Sequence, residues 1–394
     1  MATAVLSVDL EHLPPDLTGL DRYAQALLVL RWRDYPVGQV TIPLHGGGAA
    51  GETLRRAVFD ALDWAFWERW VQEYLGWSPA DRLRPAPHTA TVAVCTRDRS
   101  DDLRRCLDAL MRLPDDGQEV LVIDNAPATP AARRVVERYQ RVRYVLEPRP
   151  GLNAARNRAL RESRGDIVAF TDDDAAPDPA WLRALQRNFQ DDQVVLVTGL
   201  TMPLELETTA QEEFERYTPF GRGFRRIVFD GLTHDPLSVG RVGAGANMAL
   251  RRSALDLVGP FDEALDGGTP TRTGGDHEMF SRVLAGGYRI VYDPAALSWH
   301  RHRRTWTELR QTLYGYGTGV YAMWTSSLLR RGEWGVLKRA GAWFVRDQFP
   351  AVVRALLRRP GSPPLDLLLA ELRGCLAGPG AYLSSRRVRR SARP

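Results

Sequence analysis

The sequence predicts an α/β protein with a mostly parallel sheet and helices on both of its faces. A small α+β unit precedes the sheet, and a helical, basic region comes after it. Three observations predict this. From Thr91, short β-branched runs alternate with amphipathic helical runs, the pattern of strand–helix crossovers. The Pro-rich stretch "RLRPAPHTA" sets residues 1–87 apart from the rest of the chain. After Arg304 the chain turns helical and arginine-rich. The expected units are therefore 1–87, 88–304 and 305–394, in a chain of 394 residues that is long enough for more than one core.

In the first unit, "ALLVLRWRDYPVGQVTIPL" has two β-rich runs about a Tyr-Pro-Val-Gly turn and predicts a hairpin. "GETLRRAVFDALDWAFWERWVQEYL" spaces its apolar residues as a helix does, and its tryptophans are expected in the core. "TVAVCT" then reads as a buried strand, and "SDDLRRCLDALMRL" as a helix capped by Ser100 with acids in its first turn. "EVLVIDNA" is a strand, "TPAARRVVERYQ" a helix with Pro130 near its start, and "VRYVLE" a strand. "GLNAARNRALRES" is a helix and "DIVAFTDDD" a strand. After "QVVLVTGL" the chain reads as irregular to about Val239. "GGDHEMFSRVLAGGY" then predicts a helix, and "RIVYDPAALSWH" a strand ending in histidine.

Composition narrows the class. Hydrophobic residues make up 44% and charged residues 26%, ordinary for a globular protein. Cys95, Cys106 and Cys375 offer no disulfide framework and no CxxC pair, which suits a reducing, cytoplasmic setting. The N-terminus has no basic region followed by an apolar core, so no secretory signal is expected. No run is apolar enough to span a membrane. The net charge of +5 is uneven: from Arg301 onward 18 basic residues face 5 acidic ones. Such a tail suggests an anionic partner: membrane phospholipid, a phosphate-bearing substrate or nucleic acid. A solvated arginine-rich helical surface is the alternative. No nucleic-acid-binding module accompanies the charge, so nucleic acid is not the expected partner.

The candidate site residues lie at strand ends, where open α/β sheets bind ligands. Thr96 and Arg97 follow "TVAVC", and Asp124 follows "EVLVI". A carboxylate there can accept a uracil imide N–H or ribose hydroxyls; an ordinary turn residue is the alternative. Asn153, Arg156 and Asn157 share one helix face just after Gly151. Such a face near a helix N-terminus suits diphosphate or sugar hydroxyls. Asp172, Asp173 and Asp174 form an acidic run. Oxygen ligands in such a run suit Mg2+ or Mn2+ shared with substrate phosphates, and i, i+2 spacing puts Asp172 and Asp174 on one strand face. Asp276, where a Gly- and Thr-rich loop becomes a helix, can take a proton from a hydroxyl. His300 is a candidate third metal ligand, and His302 a weaker one.

Together these segments resemble the inverting family 2 glycosyltransferases of GT-A fold, over roughly Thr91–Arg304. The resemblance rests on "TVAVCTRDRSDDLRRCL", "EVLVIDNA", "GLNAARNRAL", "GDIVAFTDDDAAPDPAWL", "GAGANMALRR" with "GPFDEAL", and "GGDHEMFSRVLAGGYRIVYDPAALSWH", in that order. It implies a nucleoside-diphosphate-sugar donor, UDP-sugar by default. The expected acceptor is a glycan, lipid-linked or small-molecule hydroxyl. Thr96, Arg97, Asp124, Asn153, Arg156 and Asp173 would then line the donor site. Asp172 and Asp174 fill the DxD motif, with Asp174 the more direct ligand of Mn2+ or Mg2+ and His300 the third. Asp276 stands at the catalytic base. Gly245, Asn247 and Glu278 fall in the acceptor-side segments, and Trp181 is expected to pack beneath the loop. The chain departs from the family where Gly275 precedes Asp276 in place of the common Glu, and where Asn125 replaces a second acid. The QxxRW motif of processive synthases is absent, so the resemblance implies transfer of a single sugar.

Two other classes compete. A nicotinamide-dependent oxidoreductase would need a GxGxxG turn after the first strand, and "VCTRDRSDDL" has none. A catalytically silent sugar-nucleotide-binding scaffold, recruited by its basic tail, would not require Asp172, Asp174 and Asp276. Within the tail, "LKRAGAWFVRDQFPAVVRALLRRPG" interleaves aromatic and aliphatic residues with arginines. It reads either as an interfacial helix at the inner face of the plasma membrane or as a helical cap on the catalytic domain.

Overall fold

The computed structural model describes residues 2–77 and 86–391; part of the Pro-rich boundary lies outside them. The first unit is a three-stranded sheet of β1 (Thr3–Asp9), β2 (Gln25–Trp32) and β3 (Tyr35–Pro43), followed by α1 (Gly51–Ala61) and α2 (Trp64–Tyr74). β1 runs parallel to β2, and β2 and β3 form the expected hairpin. Its turn is Arg33–Asp34, with Arg33 at φ 55°, and Pro36 and Gly38 lie inside β3. The expected single helix is broken at Asp63, whose side chain accepts from the Ala65 N–H and starts α2 afresh. The expectation of buried tryptophans fails: Trp64, Trp67, Trp70 and Trp77 are exposed, because α2 buries only Ala65 and Phe66.

The main sheet begins with β4 (Ala90–Thr96), α3 (Ser100–Leu110), β5 (Glu119–Asn125), α4 (Ala131–Val136), β6 (Val142–Glu147), α5 (Leu152–Glu162) and β7 (Ile167–Asp172). β8 (Ala175–Pro177), α6 (Trp181–Gln186), β9 (Val194–Pro203), α7 (Thr209–Tyr217) and β10 (Ile227–Asp230) come next. β11 (Asn247–Arg251), α8 (Ala254–Leu257), α9 (Gly275–Ala285) and β12 (Arg289–His300) complete it. The strand order is β10-β12-β9-β11-β7-β4-β5-β6, with β8 beside β12. The α/β class is the one expected. Its β7-β4-β5-β6 half is parallel, whereas β11 enters antiparallel between β7 and β9. Ser100 opens α3 without a side-chain cap, which leaves Arg99 at the N-cap. The chain read as irregular holds α7, opened by a Thr208–Gln211 capping box.

Strand alternation builds two cores. Val92 and Val94 join Leu103, Leu107 and Leu185 on one face, in a core continuous with that of the first unit. Ala93 packs with Ala155, Ala159 and Met279 on the other. An irregularity in the β9–β12 ladder bears on the site. Between the pairs Asp293–Gly199 and Ser298–Thr201 the register slips, and carbonyls in the gap lack ladder partners. The buried Asn247 amide closes it, donating to Leu200 O and Ala296 O at 2.9 Å each. Trp181 Nε1 donates to Asn247 Oδ1 at 2.8 Å. Trp181 packs as expected, and Asn247 is a brace of the sheet.

The C-terminal region is α10 (Trp306–Arg331), α11 (Gly335–Trp343), α12 (Phe349–Leu356) and α13 (Leu365–Ser391). α10 and α13 pack closely. Glycines make this possible: a Cβ at Gly378 would lie 2.7 Å from Thr318 O.

Replacing Asn247 with Ala strands two backbone carbonyls and the Trp181 indole in the core. A loss of about 2–4 kcal/mol is expected, read as a lower urea midpoint at unchanged m-value.

Candidate active site

A cleft of about 890 Å3 opens at the carboxyl ends of β4, β5, β7 and β12. Its position follows from the topology, because parallel strands end there together. Helix α10 adds Gln311, Thr312 and Tyr316 to its wall, so part of the basic C-terminal region lines the site.

Asp172 ends β7, and Asp173 and Asp174 form a turn into β8. The strand-face rule for Asp172 and Asp174 therefore lapses after Asp172. The turn brings the two together instead, because β8 pairs with β12 and sets Ala175 opposite His300. Ligand atoms of Asp172, Asp174 and His300 all lie within 4.8 Å of one another. His300 Nε2 pairs with Asp174 Oδ1 at 3.1 Å. Two carboxylates and an imidazole gathered this closely form a donor set that fits a divalent cation.

Asp173 turns elsewhere. Its Oδ2 accepts from Thr96 Oγ1 at 2.7 Å, and its Oδ1 lies 3.2 Å from Arg99. The three charges divide accordingly. Burial and the Asp174 charge push the Asp173 carboxyl up to about 7. Burial acts the same way on Asp174, but His300, Arg303 and Arg99 outweigh it and hold Asp174 far below the usual range. Burial works against a protonated His300, and Asp174 more than compensates, raising it.

Asp276 lies in the first turn of α9, as expected, and lines the same cleft. Its Oδ2 accepts from Gly245 N and its Oδ1 from His277 N, both at 2.8 Å. Burial opposes its ionisation, but His277, Arg156 and these two N–H groups hold it below the ordinary carboxylate range. Gly245 is required at this contact: a Cβ there would lie 2.8 Å from both Arg156 and Asp276. The buried Arg156 lies among Asp266, Asp276 and Asp172 and pairs with Asp266 at 2.7 Å.

Asp266 had no local sequence signal, and it explains Gly275. A Cβ at 275 would lie 2.6 Å from Asp266 Oδ2, and closer still to Asn153 Nδ2. The Asp266 carboxylate, from a residue at φ 81°, fills the space that a larger residue before Asp276 would need.

The other expected residues divide. Arg97 lines the cleft. Asp124 is fully buried outside the cleft lining; its Oδ2 accepts from Tyr144 OH at 2.9 Å, and its Oδ1 has no partner. Asn153, Arg156 and Asn157 share a face, but that face meets the loop at 261–266. Asn153 donates to Asp262 O and accepts from Arg156, so of these three only Arg156 reaches the cleft. Asn125 braces the α5 approach through Gly151 N and Arg149 O. Glu278 points away from the cleft and binds Arg282 through both oxygens at 2.9 Å. His302 faces Glu215 at 3.1 Å. Sequence reasoning missed Arg99 and Arg303, although each stands three residues after a named candidate, Thr96 and His300.

Residues 91–259 match the family described as Glycosyl transferase family 2. A pre-mycofactocin glycosyltransferase of Mycobacterium tuberculosis is 30% identical over 237 residues, 59% of this chain and 47% of that protein. The chain thus spans about half the length of this relative. The glycosyltransferase AglE of Haloferax volcanii is 25% identical over 241 residues, 59% of this chain and 73% of that protein. The solved mannosyltransferase PcManGT from Pyrobaculum calidifontis, in complex with GDP-Man and Mn2+, aligns with a TM-score of 0.46 at 19% identity, over 84% of this chain and 83% of that one. The matched residues hold the Asp172–Asp174 turn and Gly245, and over them the chain is similar to the family 2 glycosyltransferases.

Proposed function

We propose that this chain transfers one sugar from a nucleoside-diphosphate sugar to an acceptor hydroxyl by direct, inverting displacement. One observation carries the reading: Asp172 and His300, which group with Asp174 as a candidate cation set, line the same cleft as the base candidate Asp276, with Arg156 between Asp172 and Asp276. Asp174, Asp172 and His300 would hold Mn2+ or Mg2+, which when bound would supply Lewis-acid stabilisation of the leaving diphosphate. Asp276 takes the acceptor proton. The freed oxygen attacks the anomeric carbon from the face opposite the phosphate, the bond from that carbon to the phosphate oxygen breaks, and configuration inverts. Gly245 and Arg156 hold Asp276 for this role, and Arg97 reaches the donor. A UDP-sugar is the favoured donor, as the resemblance to the family implies. The acceptor is a glycan, a lipid-linked sugar or a small-molecule hydroxyl.

The proposed setting is the cytoplasm, at an anionic membrane surface. Among the described residues no helix is long and apolar enough to cross a membrane. α12 buries none of its residues, and Trp334, Leu337, Val345, Phe349 and Leu356 are exposed. Lys338, Arg346, Arg354 and Arg358 are interleaved with them and are exposed as well. Apolar groups with cations between them suit a helix lying in a lipid interface. α10 and α13 form the cap.

Asp276→Asn is expected to lower kcat by about 100-fold or more, with donor binding kept; near-normal turnover ends the base assignment. Gly245→Ala, which crowds Asp276 and Arg156, is expected to lower kcat while the protein stays folded by circular dichroism. A thermal-shift screen of nucleotide sugars with and without Mn2+ should show a UDP-sugar raising Tm, and Asp174→Asn should remove the Mn2+ dependence. Wild-type protein should sediment with phosphatidylglycerol vesicles but not phosphatidylcholine ones, and Leu337→Glu with Phe349→Glu should abolish this. Equal binding by that double variant contradicts the membrane reading.

A further inference from the structure

The cation set is already charge-compensated by the protein. Arg99 NH1 lies 3.1 Å from Asp174 Oδ2, and Arg303 NH1 lies 3.2 Å from the same oxygen. Arg99 also reaches Asp173 Oδ1 at 3.2 Å. The carboxylate side chain of Asp174 is 3% exposed, while the arginine side chains are 41% and 37% exposed. Two long, half-solvated cations therefore reach in to a buried anion from separate segments, Arg99 from the start of α3 and Arg303 from the chain after β12. Both line the cleft. A divalent cation on Asp174 makes these contacts redundant and places like charges together. A diphosphate on that cation offers the same guanidinium groups new charge-assisted hydrogen bonds a short distance away.

We propose that Arg99 and Arg303 hold the place of the divalent cation at Asp174 before it binds, and pass to the donor diphosphate when cation and donor arrive. The arginines thus oppose the binding of bare metal and favour that of metal with diphosphate, so the two ligands enter as a pair. This rests on the cation-site reading above. It needs no change in any bond or protonation state, only an exchange of ion-pair partners.

The exchange predicts effects of opposite sign. Mn2+ alone is titrated into wild type, Arg99→Ala, Arg303→Ala and the double variant, with free Mn2+ followed by electron paramagnetic resonance. Pyrophosphate, which carries no base or sugar, is then titrated in saturating Mn2+ by calorimetry. Removing either arginine should tighten Mn2+ binding several-fold. It should weaken pyrophosphate binding by about tenfold or more, as loss of charge-assisted hydrogen bonds does. If both affinities fall, or if Mn2+ affinity is unchanged, the arginines only brace the carboxylates and the exchange is refuted. Arg99→Lys and Arg303→Lys keep the charge and guard against misfolding; each should lie between wild type and its alanine variant in both titrations. Asp174→Asn should abolish Mn2+ binding. A wild type that binds no Mn2+ overturns the cation site itself along with the exchange, whereas Mn2+ binding that the arginines do not alter overturns the exchange alone.

Discussion

Five carboxylates face or border one cleft, and their mutual repulsion is the constraint around which the site is arranged. Asp172, Asp173 and Asp174 come from one turn, Asp266 from a loop, and Asp276 from the start of α9. Buried like charges cannot all stay ionised without help. The protein meets this in two ways. Asp173 is pushed toward its protonated form while Asp174 is held ionised. Arg156, Arg99, Arg303 and His300 then converge from three segments, the last two from the end of β12 and the chain just after it. The arms of this cluster tie β4, α3, α5 and β12 to one point.

Glycine and asparagine make this density possible. At Gly245 and Gly275 a side chain would collide with the charged groups themselves. The backbone thus comes close enough for Gly245 N to hold Asp276. At Asn247 a side-chain amide replaces missing ladder bonds where β9 and β12 fall out of register. The slip lies between Asp293 and Ser298, shortly before His300, so Asn247 closes the ladder that carries His300 to the cleft.

The basic C-terminal region has two parts with different physics. α10 and α13 pack on each other and on the catalytic domain, and their residues wall the cleft. α11 packs Val336 into the core, whereas α12 buries none of its residues and leaves Phe349 and Leu356 exposed among arginines. The cap reading thus fits α10 and α13, and the proposed interface helix is α12.

Much of the fold was legible because its signals are local. The strands β4, β5, β6, β7 and β12, the helices α5 and α9, and the β2–β3 hairpin follow from side-chain periodicity and turn residues within a few positions. Asp172, Asp174, Asp276 and His300 were visible as polar residues at element ends, and Arg97 and Arg156 by their place after a strand and on a helix. What stayed hidden depended on partners far along the chain. The antiparallel entry of β11, the break at Asp63 and the exposure of four tryptophans turn on what each face meets. That Asn153 is spent on the 261–266 loop, and that Asp266 fills the space beside Gly275, follows from loop–helix packing with no signal in either segment alone. The sequence thus specifies which groups can ionise, donate or bind a cation. Only the tertiary structure decides which of them meet, because that depends on how strands from distant segments align at one edge of a sheet.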